Sequence, residues 1–370
     1  MSLLPLTPFS RRKFIGQAAV GALALSTGAG LRANELLGGK RKLGVALVGL
    51  GSYSRGQLGP ALRKTELCEL RGVVTGDAEK GRRWAQSYGF SPDSVYSYET
   101  MAGIAQDPNI DIVYVVTPPG LHKRDVLVAA AAGKHVICEK PMAVSVDECD
   151  AMIAACDAAK VRLSIGYRLH FHAYHQRVKQ LAATGGWGGP VRMNGGFGYR
   201  DSVKSWRVNK ALGGGGQLMN VGVYVIQSAL MAMGEAMPVA ITAYEPPKVR
   251  PDFFEEVEET MRFTLEFADG STCEGMSSGE IGANHFEATG DATAVRLAPA
   301  FSYDGLRMTI NGQELAPLDG FNQQAHQMDG FAAAILKAEP SIVPGSMGRR
   351  DIRITSAIYE AARTGQRVRL

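Results

Sequence analysis

From residue 43 the chain alternates short apolar, β-rich runs with stretches of helical period. Residues 43–50 read as a buried strand, and a Gly-containing turn leads into a helix over 56–64. The pattern repeats: strand 68–75, charged helix 79–88, strand 110–117, Ala-rich helix 122–132, strand 135–138, helix 146–159, strand 162–166. Strand–helix repetition of this kind predicts a parallel, doubly wound sheet. The second half changes character. Segments 191–199, 240–244, 260–267 and 271–277 predict strands of a largely antiparallel, open-faced sheet, with Ala268-Asp269-Gly270 turning the last two. One long helix over 216–233 interrupts them, and a helix over 350–363 closes the chain. The expected class is α/β, with a doubly wound domain over 43–165 and an α+β domain over 166–370.

The first residues read as a leader rather than as part of either domain. Ser10-Arg11-Arg12-Lys13-Phe14-Ile15 followed by a weakly apolar run to Ala29 resembles a twin-arginine export signal. The run is too short and too rich in Gly and Ala for a stable membrane span, so no membrane anchor is expected. Cleavage after Ala33 makes 1–33 a signal peptide and the mature protein periplasmic.

Charge changes the picture only once this leader is set aside. The net charge of +4 comes from 40 basic and 36 acidic residues; Arg11, Arg12, Lys13 and Arg32 account for the excess. A neutral remainder has no general pull on phosphate backbones, which excludes nucleic acid as the expected partner. The five cysteines (Cys68, Cys138, Cys149, Cys156 and Cys273) show neither C-x-x-C nor zinc spacing. All fall in predicted strands or helices, where a thiol acts as a small hydrophobe, so neither disulfides nor a metal site is expected.

The first strand runs into Gly49-Leu50-Gly51-Ser52-Tyr53-Ser54, a G-x-G-x-x-S version of the dinucleotide fingerprint. Gly49 permits the tight turn, Gly51 lets main-chain N–H groups approach a pyrophosphate, and Ser54 is small enough for helix–strand packing. In that context the first domain is a Rossmann domain. Its second strand ends Thr75-Gly76-Asp77, with Gly76 where NAD-binding chains carry an acid for the ribose hydroxyl, and Lys80 follows. That arrangement points to NADP; a one-residue shift would make Asp77 an NAD determinant instead.

The strand at Val136 leads into Glu139-Lys140-Pro141, which places a lysine at the carboxyl end of a parallel strand, over the crevice where a nicotinamide lies. These residues, together with Thr117-Pro118-Pro119-Gly120-Leu121-His122, Gly166-Tyr167-Arg168, Trp206-Arg207 and the run Gly213–Gly216, resemble the Gfo/Idh/MocA oxidoreductases. Within that family the chain is similar to the glucose–fructose oxidoreductase branch, from Leu43 to Gln366.

The resemblance implies Lys140 and Tyr224 as catalytic residues. The wider family has Asp and, four residues on, His after the glycine run; the branch has Tyr at the second position. This chain carries Asn220 and Tyr224, so Tyr224 matches the branch and Asn220 departs from it. On a regular helix both would share one face. A tyrosine is a weak base because its ordinary pKa is about 10, and a nearby ammonium from Lys140 would favour its phenolate. Asn220 can orient a sugar by hydrogen bonds but takes up no proton. The resemblance also implies that Thr117, Pro118, His122, Glu139, Arg168, Trp206 and Arg207 line the cofactor site and that His170 contacts the sugar. The activity implied is oxidation of an aldose at C1 to the lactone, with reduction of a second sugar on a retained NADP, and a homodimer or higher homo-oligomer formed through the open sheet face. That branch has a long proline-rich arm before its first strand, whereas here only about nine residues follow the expected cleavage. Rival expectations are an aldose–aldose oxidoreductase, a dinucleotide-dependent exported glycosidase and a non-catalytic sugar-binding protein.

Overall fold

A computed structural model describes Ala33, residues 35–39 and residues 41–370. The paired arginines and the apolar run behind them lie outside the described residues. Strands β1 (Leu43–Val48), β2 (Cys68–Val74), β3 (Val95–Tyr96), β4 (Ile112–Val115), β5 (His135–Cys138) and β6 (Leu163–Ile165) form one parallel sheet in the order β3-β2-β1-β4-β5-β6. Chain order reverses at β1, which opens a crevice beyond the carboxyl ends of β1 and β4.

Helices cover both faces of this sheet. A π-turn over Ser54–Leu58 runs into α1 (Gly59–Leu62), followed by α2 (Ala78–Tyr88), α3 (Pro119–Ala131) and α4 (Val146–Ala158). Local chemistry sets their ends. The Asp77 carboxylate accepts the Lys80 N–H at 2.9 Å and Ser145 accepts that of Glu148 at 3.2 Å, while α2 stops at Gly89 with φ +73°. All five cysteines are buried and unpaired.

The second sheet is larger than the pattern predicts. After α5 (Ala173–Ala183) come β7 (Arg192–Gly198), α6 (Lys210–Gly213), α7 (Val223–Ala232), β8 (Ala240–Tyr244), β9 (Thr260–Glu266), β10 (Thr272–Ser278), β11 (Ala283–Thr289), β12 (Ala294–Leu297), β13 (Met308–Ile310) and β14 (Gln313–Glu314). The chain ends in α8 (Gln323–Leu336), α9 (Gly345–Thr364) and β15 (Val368–Arg369). The nine strands lie in the order β14-β13-β12-β11-β7-β10-β9-β8-β15, antiparallel except for the parallel pair β7–β10. Helix α7 packs its apolar side chains on one face, and the other face, with Asn194, Thr242, Arg262 and Glu274, stays open.

Two features depart from the sequence reading. Helix α8, within the stretch assigned to the second domain, packs Met328, Phe331 and Ala332 in one core with Leu47 and Ile112 of the first sheet and Leu58 of the π-turn. Helix α9 contributes Ile352 to the core around α4 and Ile354 and Ile358 to the core under α7. The two sheets are therefore clamped together by the chain's C-terminal helices. Among the described residues no helix is long and apolar enough to cross a membrane.

Candidate active site

The two sheets meet around one cavity of about 410 Å³. Tyr53, Thr117, Glu139, Lys140 and Pro141, from the ends of β1, β4 and β5, form one wall. Phe197 of β7 and Tyr199 just beyond it, Asn220 and Tyr224, Asn284 of β11 and the 301–303 loop form the other.

Lys140 is delivered by β5 and a cis Lys140–Pro141 bond. Its ammonium stands 4.5 Å from the centre of the Tyr224 ring and donates to the Asn220 main-chain carbonyl at 2.6 Å. That carbonyl is presented by an irregularity the sequence did not reveal: residues Leu218–Gly222 form a π-turn before α7 begins. Asn220 and Tyr224 both line the cavity. The Asn220 side-chain amide donates to the Tyr199 hydroxyl at 2.9 Å and to Gln217 at 3.1 Å, while its main chain faces Lys140.

The glycine run explains how this segment enters the site. Gly214 has φ +78°, and a Cβ on Gly215 or Gly216 would overlap the Tyr359 hydroxyl or the Glu258 carbonyl. Buried Glu258 accepts the N–H groups of Gly216 and Leu218, both at 2.8 Å, and the Tyr359 hydroxyl at 2.9 Å. It thus caps the segment that carries Asn220 and Tyr224. Sequence reasoning passed over Glu258 because it lies in the loop before β9, far along the chain.

Burial pushes the Tyr224 phenol up, but Arg168 and then Lys140 pull it down further, so it lies below the ordinary tyrosine value. Burial holds Glu139 above the usual carboxylate range, against the Tyr114 hydroxyl at 2.7 Å and the charges of Lys140 and Arg168. Tyr114 in turn receives the Gln327 amide of α8 at 2.7 Å, so the returning helix braces this wall.

Several other expected residues take supporting places. His122 lies behind the pocket, its ring between the carbonyls of Thr117 (2.7 Å), Pro141 (3.1 Å) and Met142 (3.2 Å). The Thr117 hydroxyl donates to Asp125 at 2.7 Å. It is Pro119, not Pro118, that reaches the lining. The expected sugar contact of His170 is corrected: its ring bonds Gln227 and lies 4.0 Å from Glu235, away from the cavity. Burial lowers its pKa to about 4. Trp206 and Arg207 reach the lining and stack on each other, with 4.5 Å between guanidinium and ring centre. Phe197, Tyr199, Asn284 and Tyr303 were missed. The i, i+2 spacing of Phe197 and Tyr199 on a strand was the available signal for that pair.

A second depression adjoins the first turn, lined by Gly51, Ser52, Arg55, Lys80, Arg83 and Trp84. Gly49 has φ +96°, and the Ser54 hydroxyl donates back to the Gly49 carbonyl at 2.6 Å, tightening the turn. No atom lies within 4 Å of where a Cβ on Gly51 would stand. Bare main chain beside several cations fits the phosphates of a dinucleotide. Thr75 is buried beneath, its hydroxyl accepting the Asp77 N–H at 3.2 Å, and Gly76 is exposed at the strand end. Among the described residues no cluster suited to a metal ion is present.

A Rossmann crevice with a dinucleotide-type turn, opening onto a lysine–tyrosine pair under a second sheet, defines a nicotinamide-type oxidoreductase. Residues 43–167 match the model for the oxidoreductase family with an NAD-binding Rossmann fold, and residues 175–312 match that family's C-terminal domain. The chain belongs to the Gfo/Idh/MocA family. It is 39% identical to an aldose–aldose oxidoreductase from Caulobacter crescentus, with a TM-score of 0.86 over 89% of this chain and 100% of that one. It is 28% identical to the NADP-dependent D-xylose 1-dehydrogenase of Haloarcula marismortui, covering 88% of this chain and 92% of that protein. The D-glucoside 3-dehydrogenase of Escherichia coli is 27% identical, over 89% and 97% of the two chains.

Proposed function

We propose that the protein oxidises an aldose at C1 to the lactone and reduces a second sugar, with one NADP retained through both half-reactions. The observation that carries this reading is the Lys140 ammonium set 4.5 Å from the Tyr224 ring in the cavity between the two sheets. The bound nicotinamide would supply the hydride acceptor of one half-reaction and the donor of the other. The chain's part is the proton and the position. Tyr224, held toward its phenolate by its cationic neighbours, takes the hydroxyl proton in one direction and returns it in the other. Lys140 orients the reacting oxygen. The aromatic rings of Phe197, Tyr199 and Tyr303 offer flat apolar faces to a sugar ring, with Asn220 and Asn284 as polar partners.

The depression with Lys80, Arg83 and Arg55 supports NADP, because Asp77 is already engaged as the cap of α2. The name of the Haloarcula relative agrees with C1 and NADP, and that of the Caulobacter relative favours an aldose as the second sugar. Export through the twin-arginine route, which carries folded proteins, accounts for a retained cofactor: a periplasmic enzyme has no soluble nicotinamide pool. Association through the open face of the second sheet completes the proposal.

The test uses the purified protein with no cofactor added. Absorbance in the reduced-nicotinamide band should rise on addition of xylose or glucose and fall on addition of a second sugar, fructose and an aldose being compared as acceptors. A signal that appears only after NADP is supplied would sink cofactor retention. A methyl glycoside, whose C1 is blocked, should give no rise; a rise would move the oxidation to another carbon.

A further inference from the structure

Arg168 opens the short turn Arg168–Phe171 that follows β6 and is only 2% exposed. One terminal nitrogen donates to the Ser302 carbonyl at 3.1 Å and to Gln323, and the other to the Phe301 carbonyl at 2.5 Å. These acceptors are all neutral. Among the described residues no carboxylate pairs with this guanidinium, and its Nε, also buried, has no acceptor. Glu139 feels this charge, but burial holds that carboxyl above the usual range. A buried charge without a bonded counter-ion is costly, so its surroundings should supply a further negative charge at some stage. The guanidinium carbon lies 4.8 Å from the centre of the Tyr224 ring and 4.7 Å from that of Tyr303.

We propose that Arg168 is a positioning residue whose permanent charge has the Tyr224 phenolate as its counter-anion, so that Lys140 need not stay charged for Tyr224 to serve as base. The assignment rests on the acid–base reading of Tyr224 for its meaning in turnover, but not for its geometry. A guanidinium does not lose its proton in proteins, whereas an amine beside a reacting oxygen can. The groups facing Tyr224 are Lys140 and Glu139 from the end of β5, Tyr53 from the first turn, Tyr303 from the loop after β12 and Arg168 itself. Glu139 is the one acid among them, and it opposes the phenolate. Arg168 stands ahead of Lys140 among the influences that pull Tyr224 down.

The test is a pH titration of tyrosinate absorbance on the resting full-length enzyme. Subtracting the curve of a Tyr224→Phe partner made in each background isolates the Tyr224 step. Arg168→Gln should raise that step by about one to two pH units, a tenfold to hundredfold loss of phenolate at fixed pH. Arg168→Lys should leave it within about half a unit, and Lys140→Met should move it less than Arg168→Gln does. The pH–rate limb should follow the same order. An unmoved step in Arg168→Gln, or a larger displacement in Lys140→Met, overturns the assignment. Should Arg168→Gln not fold, Lys140→Met alone decides: a step at or above the ordinary tyrosine value shows that Arg168 does not hold the phenolate. If Tyr224→Phe removes the step yet leaves turnover intact, the acid–base reading fails while this assignment stands.

Discussion

Glu258 offers a sharp test of how the tertiary structure builds the site. Its buried carboxylate accepts two main-chain N–H groups at the start of the segment carrying Asn220 and Tyr224, and also the Tyr359 hydroxyl. Glu258→Ala leaves three donors without a protein acceptor. Each buried orphan costs about 1–3 kcal/mol, and water entering the vacated space offsets part of this, so a loss of about 3–6 kcal/mol is expected. Glu258→Gln keeps the shape and one acceptor oxygen but turns an amide NH₂ toward a donor. Because burial already works against the charged carboxylate, this change should cost only about 1–3 kcal/mol. Urea unfolding read by far-UV circular dichroism and by the fluorescence of Trp84, Trp187 and Trp206 gives the midpoints, with an unchanged slope licensing the comparison. Loss of the cap should also shift Tyr224, and a displacement of about 1 Å costs about a hundredfold in turnover. Glu258→Ala within about 1 kcal/mol of wild type, or Gln as damaging as Ala, would refute the capping argument.

Acid should destabilise the protein between about pH 6.5 and pH 4. Burial holds His170 and His172 neutral, each with its pKa lowered to about 4, and the His172 ring accepts the Tyr174 N–H at 3.2 Å. Their contribution is present above the unfolded value and is lost as pH falls through the folded one. Asp351, raised to about 6 by burial, acts in the opposite sense over part of the window. Burial also lowers His122, His135, His175 and His326, which act with these two histidines, while Glu139, Glu258 and Asp329, raised by burial, act with Asp351. The more numerous histidines set the sign as a loss on acidification. His172→Gln should flatten the urea midpoint–pH curve; a midpoint that rises on acidification would reverse the reasoning. Tyr224→Phe should lower kcat at least about a hundredfold with little change in KM. A loss confined to KM would make Tyr224 a binding residue.

By itself the sequence determined the doubly wound first sheet, the glycine turn at Gly49–Ser54, the presence of an antiparallel second sheet and the choice of Lys140 and Tyr224 as residues of one cavity. Those features are local: strand and helix periods, glycines at forced turns, and a lysine at a strand end repeat within a few residues. Strands such as β13 and β14 are too short to show a period, so the extent of the second sheet was hidden. The pairing of β7 with β10, the return of α8 to brace Tyr114 and Glu139, and the clamp made by α9 depend on residues eighty or more positions apart. Only the tertiary structure decided that Asn220 meets Lys140 through its main chain, because that contact joins the end of β5 to a segment eighty positions further on. It likewise took His170 out of the pocket and set a buried Arg168 beside Tyr224. Burial decides the role of a charge, and burial comes from the whole chain.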